Sequence, residues 1–169
     1  MTGSVPPDIL QPFRIEGANI RGRVARLSGS YEGILGTHDY PEPVARILGE
    51  TIALTAAIST SLKFDGIFYL QTQGDGPIPM LVADVTSAGQ MRGYARCKEE
   101  AFPLSDNTSP TVPQLLGSGH LAFTLDQGAG TDRYQGIVAL EGETIAECAQ
   151  SYFEQSEQLE TAIMVAAQP

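Results

Sequence analysis

The stretch that decides the fold runs HDYPEPVARILGETIALTAAISTSL, residues 38–62. Val44, Ile47, Leu48, Ile52 and Thr55 recur at the three- and four-residue spacing of a helix. Ala53, Leu54, Ala56 and Ala57 widen that apolar face, so most of the helix is expected to be buried. Asp39 is placed to cap it, with Glu42 three residues on to return the hydrogen bond. Pro41 falls in the first turn, where a missing N–H costs nothing. The pattern predicts an end near Leu62.

Strand patterns surround this helix. Towards the N-terminus, a strand is expected from Phe13 onward. There Ile20, Gly22 and Val24 alternate with Arg21 and Arg23, and the arginines are expected to face water. Tyr31, Ile34 and Leu35 then predict a short helix after Ser28 or Ser30. Towards the C-terminus, Asp65-Gly66 reads as a turn, residues 67–73 as a strand and GDGPIP (74–79) as a second turn. Residues 80–85 and 90–97 read as further strands. Residues 101–114 hold Pro103, Pro110 and Pro113 and are expected to form the longest loop.

Residues 119–125 and 134–140 alternate as strands. Thr144 and Glu147 form a capping box for a helix over 144–156, with Ile145, Ala149, Tyr152 and Phe153 on one face. Residues 159–165 read as a last strand. The whole is α+β: antiparallel-rich sheets packed with a few helices, a single domain over residues 13–169 behind a flexible arm of residues 1–12.

Composition agrees with one domain. The 169 residues are 42% hydrophobic and 18% charged, enough for a core and too apolar for disorder. A net charge of −10 and a pI near 4.5 oppose binding to nucleic acid or to an anionic membrane surface; solubility is the simplest role of that charge. Pro6, Pro7 and Asp8 stand where a signal peptide needs a basic end and an apolar run, and the apolar stretch 52–58 is too short to span a bilayer. Cys97 and Cys148 are the two cysteines, which make neither a disulfide framework nor a zinc motif. A cytoplasmic setting follows as the expectation. Asn107-Thr108-Ser109 fits a glycosylation sequon and is read as a chance match.

No residues assemble into a catalytic pattern. His38 stands at a helix start, and His120 has no cysteine or carboxylate ligand near it in sequence, so structural roles are expected for both. Gly74-Asp75-Gly76 lacks the lysine and following helix of a phosphate loop. Gly117-Ser118-Gly119 lacks the spacing of a nucleophile elbow. Arg92, Arg96 and Arg133 are expected to pair with some of the many carboxylates. Glu141 and Glu143 precede a helix, where negative charge is favourable. Cys97 lies between Arg96 and Lys98, which could activate a thiol, but strand neighbours point to opposite faces. Both cysteines are treated as ordinary thiols, and a bridge between them is left open.

Six strings together resemble one family, the redox-regulated 33-kDa heat-shock chaperones: HDYPEPV (38–44), LKFDG (62–66), QTQGDGP (71–77), QMRGYAR (90–96), RYQGIVALEGETIAEC (133–148) and YFEQSEQL (152–159). They keep the family's order and approximate spacing, and the likeness covers about residues 13–165. The resemblance implies an ATP-independent holdase, not an enzyme, that binds unfolded or oxidatively damaged proteins under stress. It also implies a second part beyond the sequence at hand. That part holds zinc through Cys-x-Cys and Cys-x-x-Cys pairs, forms disulfides on oxidation, and then uncovers apolar surface.

Neither Cys97 nor Cys148 matches those pairs, so no metal ligand is carried over and no cofactor is expected within residues 1–169. The sequence stops at Pro169, ahead of the linker and zinc module, and is read as a shortened piece. Glu160 stands where the family commonly has proline, which would loosen the lead into the last strand.

Three readings follow. The first is a module for unfolded client proteins whose client-binding residues are unknown; strands 67–72 and 80–85 are apolar enough, but core burial is their expected fate. The second is a small-molecule site near Gly74 and Arg92. The third is a self-association or scaffold domain, with a homodimer left open and exchange of the last strand as one route.

Overall fold

The computed structural model describes residues 7–102 and 109–169. Two antiparallel sheets and four α-helices form an α+β unit. Strands β1 (Ile9–Ile15) and β2 (Ile20–Arg26) make a hairpin of their own. After α1 (Gly29–Leu35) and α2 (Glu42–Ser59) come β3 (Ile67–Gly74), β4 (Met80–Thr86) and β5 (Met91–Arg96). Then follow a 3-10 turn (Glu99–Ala101), α3 (Val112–Leu116), β6 (Gly119–Asp126), β7 (Tyr134–Ala139) and α4 (Ile145–Ser156). The large sheet runs β5-β4-β3-β6-β7, antiparallel throughout.

Helix α2 is the centre. It packs on β3, β4 and β5, and also meets α1, α4 and β2. Val44, Ile47, Leu48, Ile52 and Thr55 are all buried, as the sequence pattern requires. The hydroxyls of Thr51, Thr55 and Ser59 are buried with them. They donate back to the carbonyls of Ile47 (2.7 Å), Thr51 (2.7 Å) and Ala56 (2.8 Å), so none of these three hydroxyls is left alone in the core. From the sheet, alternate residues Phe68, Leu70, Leu81, Ala83, Val85, Leu121 and Phe123 complete the core. The expected burial of the strands over 67–72 and 80–85 is thus observed, which removes their inner faces from any binding surface.

Several expectations are corrected. The cap of α2 is Pro41, not Asp39, and no side chain bonds to it. Pro41 is held at ψ 144°, so the helix cannot begin before Glu42, and Asp39 lies too far upstream to reach the first free N–H groups. The helix ends at Ser59, three residues before Leu62. Within the expected loop 101–114, Thr111 and Gln114 form a capping box that opens the short α3, with Pro113 in its first turn.

Residues 9–12, expected in the flexible arm, form the first half of β1, because their alternation continues through Ile15 and finds β2 as a partner. Residues 159–165 carry no strand: a strand needs a neighbour for its N–H and C=O groups, and no strand pairs with this segment. Its exposure nevertheless alternates. Thr161, Ile163, Val165 and Ala167 are half-buried, while Ala162, Met164 and Ala166 are exposed.

Candidate functional site

The hairpin holds the surface that is hardest to explain by folding alone. Its four-residue turn, 16–19, places Gly17 at φ +83° and Asn19 at φ +51°, both in the left-handed region that glycine and asparagine tolerate. Cross-strand register then sorts the side chains. Ile9, Gln11, Phe13 and Ile15 share one face with Ile20, Gly22, Val24 and Arg26; Leu10, Pro12 and Arg14 share the other with Arg21, Arg23 and Ala25.

The sequence pattern suggested that the arginines of β2 face water. The structure bears this out for Arg21, which is exposed, and corrects it for Arg23, which is half-buried together with Ala25. The apolar set is open: Phe13 is 44% exposed, Ile15 47%, Ile20 50% and Val24 52%. Asp8 fastens the base of the hairpin to α1. Its carboxylate accepts the N–H of Ser28 (2.6 Å) and of Ser30 (3.1 Å) and the hydroxyl of Ser30 (2.5 Å). The Ser30 hydroxyl foremost, with those N–H groups, holds Asp8 below the usual carboxylate range.

Residues 159–167 carry further exposed apolar side chains. The Ile163 N–H donates to Gln150 Oε1 of α4 (3.0 Å), and Ala167 reaches Gly49 of α2. Leu159 is more than half exposed and Met164 is 99% exposed. Exposed apolar side chains can bind an unfolded chain by contact.

The remaining candidates have structural work. His38 stacks on Tyr40 at 5.2 Å, meets Tyr94 edge-on at 5.5 Å, and bonds Thr37 through Nδ1 (2.9 Å). His120 lies on β6 between Gln73 and Ala139. The Gly74-Asp75-Gly76 turn docks on the end of α3: the Gly76 N–H donates to Leu116 O (2.9 Å), and Asp75 accepts the N–H of Ser118 (2.8 Å). Arg92 pairs with the buried Asp84 at 3.0 Å, and Arg133 with Asp126 at 2.6 Å; Arg96 is exposed opposite Met80 and in no ion pair among the described residues.

Glu143 and Glu141 lie at the start of α4, where the Glu143 N–H donates to Glu147. An open cleft of about 810 Å³ runs beside α1, between Ile34, His38, Asp84, Arg92 and Tyr94. Arg92 in that cleft is already engaged by Asp84. The sequon residues Asn107 and Thr108 lie outside the described residues.

Cys97 and Cys148 are not bonded to each other. Cys97 is half-buried, and Cys148 is fully buried in α4, where burial pushes its thiol up to about 11. Among the described residues no three His, Cys, Asp or Glu side chains gather as metal ligands, and no helix is long and apolar enough to cross a membrane.

A sequence model of the Hsp33 protein family matches residues 8–169. A 33 kDa chaperonin of Caulobacter vibrioides is 47% identical over 161 residues, covering 94% of this chain and 53% of the relative. One from Shewanella loihica is 44% identical over 160 residues, covering 95% and 54%. The crystal structure of a 33 kDa chaperonin, the heat shock protein 33 homologue of Thermotoga maritima, superposes with a TM-score of 0.79 at 26% identity, over 92% of this chain and 57% of that one. The chain spans about half the length of the curated relatives it matches.

Proposed function

Because the chain belongs to the Hsp33 family over residues 8–169, we propose that it is the client-binding part of an ATP-independent holdase, working in the cytoplasm on unfolded proteins. The observation that carries this is the open apolar face of the hairpin. Folding does not need it: Ile15, Ile20 and Val24 project into water while the core closes without them. A soluble monomer rarely leaves a large contiguous apolar patch without a use. Exposed chain segments of an unfolded protein are apolar and have free backbone groups, and this surface offers a match for both. The net charge of −10 would keep a loaded complex in solution.

Holding is an equilibrium of contacts and needs no bond-making, so no residue is assigned a catalytic role. Zinc is given no ligand within residues 1–169. Burial pushes the Cys148 thiol up to about 11, so it is assigned no redox role in this proposal.

The test is light scattering of a chemically unfolded client diluted into buffer with this chain, with and without reductant. Equal suppression of aggregation in both conditions supports constitutive binding by the surface described. Absence of suppression in either condition refutes the proposal for residues 1–169 and leaves a scaffold role.

A further inference from the structure

On one side the large sheet ends in β5. Along an antiparallel edge strand, the N–H and C=O groups of alternate residues point away from the sheet. The Ala95 N–H donates outward, to the Tyr40 hydroxyl (3.2 Å), and this fixes the direction: the backbone groups of Met91 and Gly93 face outward with it. Both residues line the open cleft beside α1, and neither makes a backbone hydrogen bond outside the sheet among the described residues.

Proteins commonly blunt such an edge with proline, lysine or a covering element. Strand β5 contains neither residue, and α1 stands back from it across the cleft of about 810 Å³. Gly33 helps to keep that gap open: a β-carbon there would meet nothing within 4 Å. Glycine weakens a helix interior, so at this position room is kept at the expense of helix stability. Tyr40 ends the free edge at Ala95, with His38 stacked on it at 5.2 Å.

The side chains of β5 say what would fit. Gly93 turns its bare backbone towards Ile34 and Ile52. Arg92 and Tyr94 lie on the opposite face. Tyr94 is 39% exposed. The Arg92 side chain is 68% exposed although its Nε holds Asp84, the one carboxylate that lines the cleft. A neighbouring strand would thus meet an exposed ring, a glycine and an exposed cation in turn.

We propose that the β5 edge binds an extended peptide as a sixth, antiparallel strand, with an apolar residue opposite Tyr94, a small one opposite Gly93 and a carboxylate opposite Arg92. The small residue exchanges both backbone hydrogen bonds with Gly93. The groove uses none of the open apolar residues of the hairpin, so it stands or falls apart from the holdase reading.

The probe is a labelled, end-blocked peptide, Ser-Thr-Val-Ala-Glu-Thr-Ser, titrated with the full chain by fluorescence anisotropy. Saturable binding is expected, with slowed amide exchange of Met91 and Gly93 by NMR. N-methylation of the peptide alanine removes a hydrogen bond to Gly93 and should weaken binding by about tenfold or more. N-methylation of the glutamate, whose N–H points away from β5, should change it little. A peptide with lysine for glutamate should bind more weakly, and Gly33→Leu, which fills the gap, should weaken binding while the circular dichroism and Tm stay close to wild type. I15S/I20S/V24S should bind the peptide as wild type does.

No saturable binding overturns the proposal, and so does equal loss from the two N-methyl peptides or binding without protection of Met91 and Gly93. Protection of those amides that rises with protein concentration in the absence of peptide overturns it too, because a second copy is then the occupant. Should Gly33→Leu misfold, the two N-methyl peptides on the wild-type chain decide.

Discussion

The ring of Phe13 lies on Gly22, its partner across the hairpin; a β-carbon at Gly22 would come within 2.0 Å of that ring. The bare backbone of Gly22 is the seat of the aromatic side chain, which in turn shields a strand position where glycine is otherwise weak. Gly22→Val should therefore lift the ring into solvent. Binding of a fluorescent apolar dye should rise, while the Tm of the main core stays close to wild type, because the hairpin lies outside the large sheet. Unchanged dye binding would show that the ring has another resting place.

A second close approach lies inside the core. A β-carbon at Gly93 of β5 would meet the Ile52 side chain at 2.9 Å and Ile34 at 3.2 Å. Gly93→Ala should cost about 1–3 kcal/mol by overpacking. Ile52→Val removes Cδ1, one of the two Ile52 atoms at 2.9 Å, and should cost about 0.5–1.5 kcal/mol alone. The double variant should be more stable than the two costs summed, and urea unfolding of all four proteins measures that coupling. Simple additivity would place the clash elsewhere.

The buried thiol makes stability sensitive to alkali. Burial foremost raises Cys148 from 9.0 to about 11 in the folded chain. A raised folded value means that this contribution is complete below pH 9 and is lost as pH climbs from about 9 towards 11, where the unfolded chain releases the proton first. Burial also raises the Tyr152 phenol, which acts in the same direction at higher pH. Tm measured from pH 7.5 to 10.5 should fall, and fall less steeply in Cys148→Ala. Parallel curves would remove Cys148 from the account. A thiol reagent should meanwhile label Cys97 in the native protein and reach Cys148 only on unfolding.

Two helix starts that look alike in sequence should respond differently. The Thr144 hydroxyl accepts the Glu147 N–H at 3.2 Å, and Glu147 accepts the Thr144 N–H at 3.2 Å. Thr144→Ala should cost about 1 kcal/mol in urea unfolding. Asp39→Ala should be close to neutral, because Pro41 rather than Asp39 begins α2.

That contrast shows what the sequence could carry. The α2 face, the five strands of the large sheet and the α4 capping box were legible because helical spacing, alternation and a cap are local signals. The start of α2 was misplaced because Asp39 and Glu42 mimic a cap, whereas Pro41 imposes extended backbone at the point where the cap would turn. Residues 159–165 alternate like a strand, but pairing depends on a neighbour that local sequence does not name.

The half-burial of Arg23 was missed for a related reason. Alternation of Ile20, Gly22 and Val24 with Arg21 and Arg23 defines two faces but not which one meets the body. Packing against α2 and the tether from Asp8 make that choice: Arg23 and Ala25 are half-buried, while Arg21 and the apolar set stay exposed. The one signal within reach was Phe13 and Ile15 preceding Ile20 and Val24, an apolar set on both sides of a Gly- and Asn-bearing turn.

The most direct measurement is light scattering of an unfolded client with the wild-type chain and with the triple variant I15S/I20S/V24S. All three side chains are exposed and lie outside the core. The account predicts that the variant keeps the wild-type Tm and loses most of the suppression of aggregation. A variant that suppresses aggregation as well as wild type would contradict it.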